Sequence, residues 1–326
     1  MADAPPPAAG VRIDWAELPD RIRAGIEARF GSSVVEAVTQ PGGFSPGAAV
    51  RLRMVDGRRA FVKAVAATAN PLAPRFHRRE ARIVAALPVT APVPRLLWSW
   101  DERDLGTEGG DGWVVLAFED VDGRQPIVPW RADELDRALD ALASLSAALT
   151  PSPVPPEATG PIAEWFASAG QGWRLARADP PAGLDPWSAR HLDALAALEA
   201  RAGEASAGET LLHSDLRADN LLLTADRVFV VDWPHARVGA AWIDAIFFAP
   251  SVAMQGGPRP DYVLARHPAA RRADDDAVAA VVAAVAGFFT WQSLQPPPPG
   301  LPTVRAFQAA QGIVAREWLA ERTGLR

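Results

Sequence analysis

The chain changes texture near residue 120, and that change constrains its fold more than any other feature. Before it, short runs alternate between apolar and polar residues, the pattern of half-buried strands. Such runs cover residues 34–39, 50–55, 60–65, 95–100 and 113–118. The second and third are joined around Asp56-Gly57, a strong hairpin turn signal. Residues 12–30 and 75–87 have helical spacing, and Pro88 ends the latter. After Gly123 the chain becomes Ala/Leu-rich, with helical periodicity over 131–149, 187–202, 277–292 and 303–322. A Pro-rich loop at 151–161 and a stiff proline run at 295–300 separate these helices. The expectation is an α+β protein of two lobes: a strand-rich lobe over 1–120, with 1–10 as a disordered lead, and a helical lobe over 121–326. A cleft between such lobes is where a ligand binds.

Composition excludes several classes. There is no cysteine, so disulfides, thiol catalysis and thiolate metal sites are ruled out. The net charge of −6 argues against a general nucleic-acid binder. The first residues lack a basic n-region and an apolar h-region, so no signal peptide is expected. The most apolar stretch, 277–289, is shorter than the roughly 18–20 residues that span a bilayer. It follows directly on Asp274, Asp275 and Asp276. A buried core helix is expected there, in a cytoplasmic protein with no membrane or nucleic-acid partner.

Lysine occurs once, at Lys63, in a chain that otherwise uses arginine for its side-chain cations. Arginine is a planar fork, whereas lysine is a compact point charge on a flexible stem. A buried site that pins phosphate oxygens in tight quarters can need the point charge. Lys63 sits inside the alternating run 60–65.

Residues 211–232, LLHSDLRADNLLLTADRVFVVD, carry the most chemistry. Two apolar runs, 221–223 and 228–231, flank a polar loop and read as a short antiparallel hairpin. Asn220 enters the hairpin and Asp232 leaves it, so the two belong at the same end. An amide oxygen and a carboxylate so paired make a hard-oxygen site fit for Mg2+. Asp215, five residues before Asn220, can project into the same space as a base, and Arg217 adds a cation.

The pattern His213-x-Asp215-x-x-x-x-Asn220, followed by Asp232, resembles the catalytic and metal loops of the protein-kinase-like fold. Val231-Asp232-Trp233 and Trp242-Ile243-Asp244 resemble the aminoglycoside phosphotransferases and their choline kinase-like relatives. The resemblance runs from about residue 34 to the last helix, with Lys63, Glu80, the hairpin and Asp232 in the expected order. It implies a bilobal protein-kinase-like fold: an antiparallel β-sheet N-lobe with one main helix, and a mostly helical C-lobe. The implied activity moves the γ-phosphoryl group of ATP or GTP to a hydroxyl of a small molecule.

By the same resemblance, Lys63 binds the α/β-phosphates and Glu80 pairs with it; by charge alone, Glu80 between Arg78, Arg79 and Arg82 could equally be solvated. Asp215 accepts or orients the hydroxyl proton, and Asn220 and Asp232 hold Mg2+. Arg217 steadies the moving phosphoryl group or is a surface arginine. His213 is a packing residue, and Asp244 anchors the catalytic loop through backbone amides. Gly43 and Ser45, in the turn 42–47, cover the phosphates, although the turn departs from the G-x-G-x-x-G spacing. Phe118 and Asp120 lie in the hinge that meets the base edge. Trp233-Pro234 replaces the Phe-Gly of protein kinases, and proline stiffens that turn. This favours a small-molecule kinase with a permanently assembled site.

The acceptor stays open at this level: an aminoglycoside, a macrolide, a sugar, an amino alcohol or a homoserine-like metabolite. A catalytically silent nucleotide-binding protein is the remaining reading. Acidic candidates for an amine-bearing acceptor are Glu164, Asp179, Asp185, Asp261 and Asp274. Trp165, Phe166, Trp173, Trp187, Trp242 and Trp291 suit either a stacking wall or a plain core.

Overall fold

The computed structural model describes residues 8, 10–68, 70–102 and 112–326. Most of the lead expected over 1–10 lies outside them. The N-lobe is a five-stranded antiparallel sheet in the order β1-β2-β3-β5-β4. Its strands are β1 Val34–Thr39, β2 Ala48–Met54, β3 Arg59–Ala66, β4 Leu96–Glu102 and β5 Trp113–Glu119. In the central strand β3, Lys63 stands opposite Ala49 on β2 and Leu116 on β5.

Alternation along β3 separates two faces. Ala60, Val62 and Ala64 are buried in one cluster with Ile22, Ile26 and Phe30 of helix α1, Asp20–Phe30. Phe61 and Lys63 face the other way, where α2, Ala73–Ala86, lies. The sheet therefore carries its main helix, α2, on one face and the shorter α1 on the other.

Helix α1 is shorter than the pattern over 12–30 predicts. Pro19 is extended at its N-cap and has no N–H to donate, so the helix starts at Asp20. Upstream there is only a single 3-10 turn, Trp15–Glu17. Gly31, at φ 66°, ends the helix in the left-handed region.

The C-lobe comprises α3 Ala132–Ala148, α4 Pro156–Thr159, α5 Ile162–Phe166, α6 Gly172–Ala178, α7 Pro186–Glu199, α8 Ala202–Ala205, α9 Ile243–Met254, α10 Pro260–Arg266, α11 Asp275–Ser293 and α12 Val304–Thr323. Two ribbons complete it: β6 Thr210–Leu212 with β9 Arg237–Gly239, and β7 Leu221–Leu223 with β8 Val228–Val230. Helix α11 is long and apolar enough to cross a membrane by length and composition. It lies in the core instead, with Val281 to Gly287 buried without interruption. Asp274 caps it by accepting the Ala277 N–H at 2.9 Å, and Asp275 and Asp276 sit in its first turn, where the helix dipole favours negative charge. The triple aspartate is thus a helix start.

At one crossing backbone meets backbone: a Cβ on Gly172 of α6 would stand 1.9 Å from the Gly287 carbonyl oxygen of α11. A second core cluster runs unbroken from Ile83 and Val84 of α2, through Leu116 and Phe118 of β5, to Leu221, Leu223 and Trp233. The lobes share this core, which fixes α2 and β5 relative to the β7–β8 ribbon.

Candidate active site

The shared core brings three distant side chains together. Lys63 Nζ donates to Glu80 Oε1 at 2.8 Å and Oε2 at 3.0 Å, and to Asp232 Oδ1 at 2.6 Å. Glu80 comes from α2 and is buried. It also accepts the backbone N–H of Trp233 at 3.4 Å. It is therefore the paired carboxylate, not a solvated one. Burial opposes the ammonium charge, yet the Asp232 and Glu80 carboxylates outweigh it and hold the Lys63 pKa above its ordinary value. Burial pushes Glu80 up, and Lys63 offsets part of that. Asp232 has the same burial penalty, but Lys63 wins and holds its carboxyl well below the usual range. Asp232 also has φ 69°, an uncommon backbone conformation for a residue with a Cβ.

The β7–β8 ribbon sets Asn220 beside Asp232 as hairpin geometry requires: the Val231 N–H donates to the Asn220 carbonyl at 3.0 Å. Asn220 Nδ2 donates to the Asp215 carbonyl at 2.7 Å, which turns the amide oxygen the other way. The loop between β6 and β7 is fastened from behind. Asp244, buried near the start of α9, accepts the N–H groups of His213 at 2.7 Å and Ser214 at 2.8 Å. His213 is wholly buried. Its Nε2 donates to the Val231 carbonyl at 2.9 Å, and its Nδ1 accepts the Asp215 N–H at 3.3 Å. Trp233 packs edge-on against the imidazole at 4.8 Å. His213 is a packing residue with both nitrogens satisfied.

Arg217 is buried, so it is no surface arginine. Nε and Nη2 form a fork on Asp219, at 2.9 Å to each oxygen, and Nη1 donates to Asp215 Oδ1. Phe44 of the glycine-rich turn and Phe307 of α12 flank the guanidinium at 5.3 and 5.7 Å, and the two rings meet edge-on at 5.3 Å. With Oδ1 engaged, Asp215 Oδ2 has only a long 3.4 Å contact from Asn220.

A cavity of about 450 Å3 lies between the lobes. Lys63, Glu80, Gly43, Ser45, Phe118, Asp120, Asn220 and Asp232 all line it; Asp215 and Arg217 stand just beyond, bonded to Asn220 and Asp219. Gly47 lets the glycine-rich turn lie flat: at φ 99°, a Cβ there would stand 2.6 Å from the Ala64 carbonyl oxygen. In the hinge segment, Asp120 pairs with Arg51 and Arg59, each at 2.6 Å. That leaves backbone groups to meet a ligand edge. Size and lining suit a ligand with an apolar ring and an anionic tail.

Two lining residues carry no sequence signal strong enough to select them. His77 lies one helical turn before Glu80 on α2, a spacing that shares a face. It is buried, donates from Nδ1 to the Ala73 carbonyl at 3.1 Å, and has its pKa lowered to about 4 by burial and then by Lys63. Arg12 enters from the segment before α1, where a helix was expected.

A sequence model of the APH phosphotransferase enzyme family matches residues 42–296. The chain belongs to the phosphotransferase enzyme family. No curated protein matches it at the level of sequence. Among solved structures, this phosphotransferase resembles a thermostable mutant of aminoglycoside phosphotransferase APH(4)-Ia in ternary complex with AMP-PNP and hygromycin B. The TM-score is 0.61 at 17% identity, covering 93% of this chain and 98% of that one. It also resembles a putative fructosamine-3-kinase from Thermobifida fusca, with TM-score 0.55 and 18% identity over 91% of this chain and 98% of that one. The amicoumacin kinase hAmiN gives 0.53 and 13%, over 94% and 95%. At these identities the likeness shows a shared protein-kinase-like fold.

Within this phosphotransferase, four of the five acids named as amine hooks, all but Asp179, are engaged elsewhere. Glu164 pairs with Arg237 at 3.3 Å, and Asp185 caps α7 and pairs with Arg316 at 3.1 Å. Asp261 accepts from Trp318 at 3.0 Å and Arg322 at 2.7 Å, while Asp274 caps α11. Of the aromatic candidates, Trp173 is fully buried and donates to the Ala283 carbonyl at 2.8 Å. Trp165 packs with Phe166, Phe247 and Phe288. These belong to the core.

Proposed function

We propose that the protein transfers the γ-phosphoryl group of ATP or GTP to a hydroxyl of a small molecule. The observation that carries this reading is the Glu80–Lys63–Asp232 contact across the cleft, set beside Asn220 and Asp215. The nucleotide ring lies against the hinge backbone from Phe118 to Val121, and Lys63 meets the α/β-phosphates beneath Gly43 and Ser45.

In the reaction the acceptor oxygen bonds to the γ-phosphorus as the bond to the β,γ-bridging oxygen breaks. The nucleoside diphosphate leaves, and the acceptor proton passes to Asp215 Oδ2, the less engaged oxygen. Arg217 has its fork on Asp219 and one donor on Asp215, so it is a positioning residue for that carboxylate.

The donor set also fits Mg2+. Asn220 and Asp232 offer hard oxygens, and among the described residues no group of three or more His, Cys, Asp or Glu could hold a metal. That suits an ion which takes one or two protein oxygens and completes its shell with phosphates and water. When bound, it would neutralise developing phosphate charge.

The engagement of Glu164, Asp185, Asp261 and Asp274 favours an acceptor that does not depend on them for amine recognition, such as the hydroxyl of a neutral sugar. An aminoglycoside is the second acceptor class, suggested by the named ligand of a structural neighbour. A cytoplasmic location, where nucleoside triphosphates are held, follows from the same reading.

The test is nucleotide turnover with Mg2+ across a panel of aminoglycosides, macrolides, sugars and amino alcohols, read as gain of one phosphoryl group by mass. Asp215→Asn is expected to lower turnover by about 10²–10⁴-fold while leaving the fold intact. Undiminished turnover in that variant removes the mechanism. A wild type that binds nucleotide without turning it over on any acceptor supports the silent reading instead.

A further inference from the structure

Among the described residues, Arg12 is the cation lining the cavity that makes no salt bridge, although the Asp232 carboxylate attracts it at longer range. Lys63 is held between two carboxylates, Arg51 is paired to Asp120, and Arg124 is paired to Glu134. Arg12 donates from Nη1 to the Ser45 carbonyl and from Nη2 to the Gly42 carbonyl, both neutral acceptors. Its Nε is buried with no hydrogen-bond partner. A buried donor left unpaired is rare in folded proteins and points to an acceptor the site has yet to receive.

The chain takes trouble to bring this residue in. Val11 N–H donates to the Gly300 carbonyl at 3.0 Å, and Val11 accepts the Gly47 N–H at 3.2 Å. Ile13 N–H donates back to Gly47 at 3.3 Å, and the Ala8 carbonyl accepts the Gly43 N–H at 3.0 Å. The segment before α1 is thus a strap, laced to the glycine-rich turn on one side and to the end of the proline run on the other. Arg12 points from it into the cavity lined by Lys63 and Asp232.

Charge says what the acceptor is. Lys63 is already matched by Glu80 and Asp232, so a triphosphate tail arriving there meets a site with little spare positive charge. A guanidinium with free donor faces matches phosphate oxygens in geometry as well as sign.

We propose that Arg12 is a phosphate-binding residue for the bound nucleoside triphosphate, supplied by the N-terminal strap and presented through the glycine-rich turn. The proposal rests on the nucleotide-dependent reading given above and adds a residue to it. Arg12 does two things at once: it holds the turn by its two carbonyls and offers its charge and its remaining Nη donors to the tail.

The test compares wild type with Arg12→Ala, Arg12→Gln and Arg12→Lys by calorimetric binding of ATP, AMP and adenosine. Thermal melting without nucleotide checks that each variant folds. Glutamine keeps donors for the turn but removes the charge; lysine keeps the charge. Arg12→Ala and Arg12→Gln are expected to weaken ATP about tenfold or more, with adenosine unchanged and Arg12→Lys between those variants and wild type, since lysine keeps the charge but not the planar fork. ATP affinity in Arg12→Gln equal to wild type, or equal losses for ATP and adenosine, overturns the phosphate role and leaves the kinase reading standing. Wild type that binds neither ATP nor GTP overturns both.

Discussion

Lys63 and Asp232 lie 169 positions apart in the chain and meet at 2.6 Å, one from the central strand of the sheet and the other from the end of a ribbon in the helical lobe. Their contact registers one lobe against the other, and Glu80 completes it from the helix between them. Removing the ammonium leaves the buried Glu80 and half-buried Asp232 carboxylates without the charge between them. Lys63→Met is therefore expected to lower turnover by about 10²–10³-fold and to lower the melting temperature as well. Lys63→Arg should rescue little activity, because a planar fork cannot occupy the point between Glu80 and Asp232. Steady-state kinetics of the two variants check this, and wild-type turnover in Lys63→Arg would contradict it.

Asp244 touches nothing in the cavity, yet it accepts two consecutive N–H groups of the loop that carries Asp215. Asp244→Ala strands both donors in a buried place, and each stranded donor costs about 1–3 kcal/mol. Stability should fall by roughly 2–6 kcal/mol, and turnover should fall with it as the loop loses its anchor. Chemical denaturation and turnover measured on the same samples test the link. A variant that loses stability but keeps full turnover would show that the loop holds its shape unaided.

How much of this was legible in the sequence follows from what each residue depends on. Lys63, Glu80, Asn220 and Asp232 sit at fixed places in local patterns: a strand, a helix turn and a hairpin. Local periodicity put them on those elements, the family resemblance implied their roles, and the structure brings all four to one cavity. The five strands and the long helices were readable for the same reason. Arg12 was not, because its position depends on Pro19 stopping α1 and on carbonyls of a turn some thirty residues away. The second helix on the sheet was present in the pattern over 12–30 but misjudged in extent, since helical spacing says nothing of where proline forbids the backbone. The short β6–β9 ribbon and helices α4, α5 and α6 lack the length that makes periodicity visible. Acids such as Asp185 and Asp274 cap helices through contacts only three residues along the chain, a local signal that counting them as amine hooks passed over.

The α6–α11 crossing gives a packing test far from the site. A Cβ on Gly172 meets the Gly287 carbonyl at 1.9 Å, which is backbone and cannot swing aside. Gly172→Ala must push the helices apart and is expected to cost about 3 kcal/mol or more, at the upper end of overpacking effects. Denaturant unfolding measures it. A change of less than about 0.5 kcal/mol, the range of ordinary surface substitutions, would mean the two helices are not in backbone contact.

His267 provides a pH test. It is buried after α10, its Nε2 has no partner among the described residues, and burial lowers its pKa to about 4. An unfolded histidine titrates near its ordinary value of 6.5. Above that value neither state binds the proton, so the contribution to stability is fully present. Between 6.5 and about 4 the unfolded chain takes up a proton that the folded one refuses, and stability is lost as pH falls. The loss should approach on the order of 3 kcal/mol near pH 4. His77 has the same sign over the same window, and Glu199, raised to about 7 by burial, has the opposite sign: its contribution is lost as pH rises through that value. Both remain in a His267→Gln variant and cancel in the difference from wild type. Melting curves of the two proteins from pH 8 to pH 4 should therefore diverge in one direction, wild type losing ground to the variant as pH drops below about 6.5. A gap that stays constant across that window would mean that His267 is protonated as readily inside the fold as outside it.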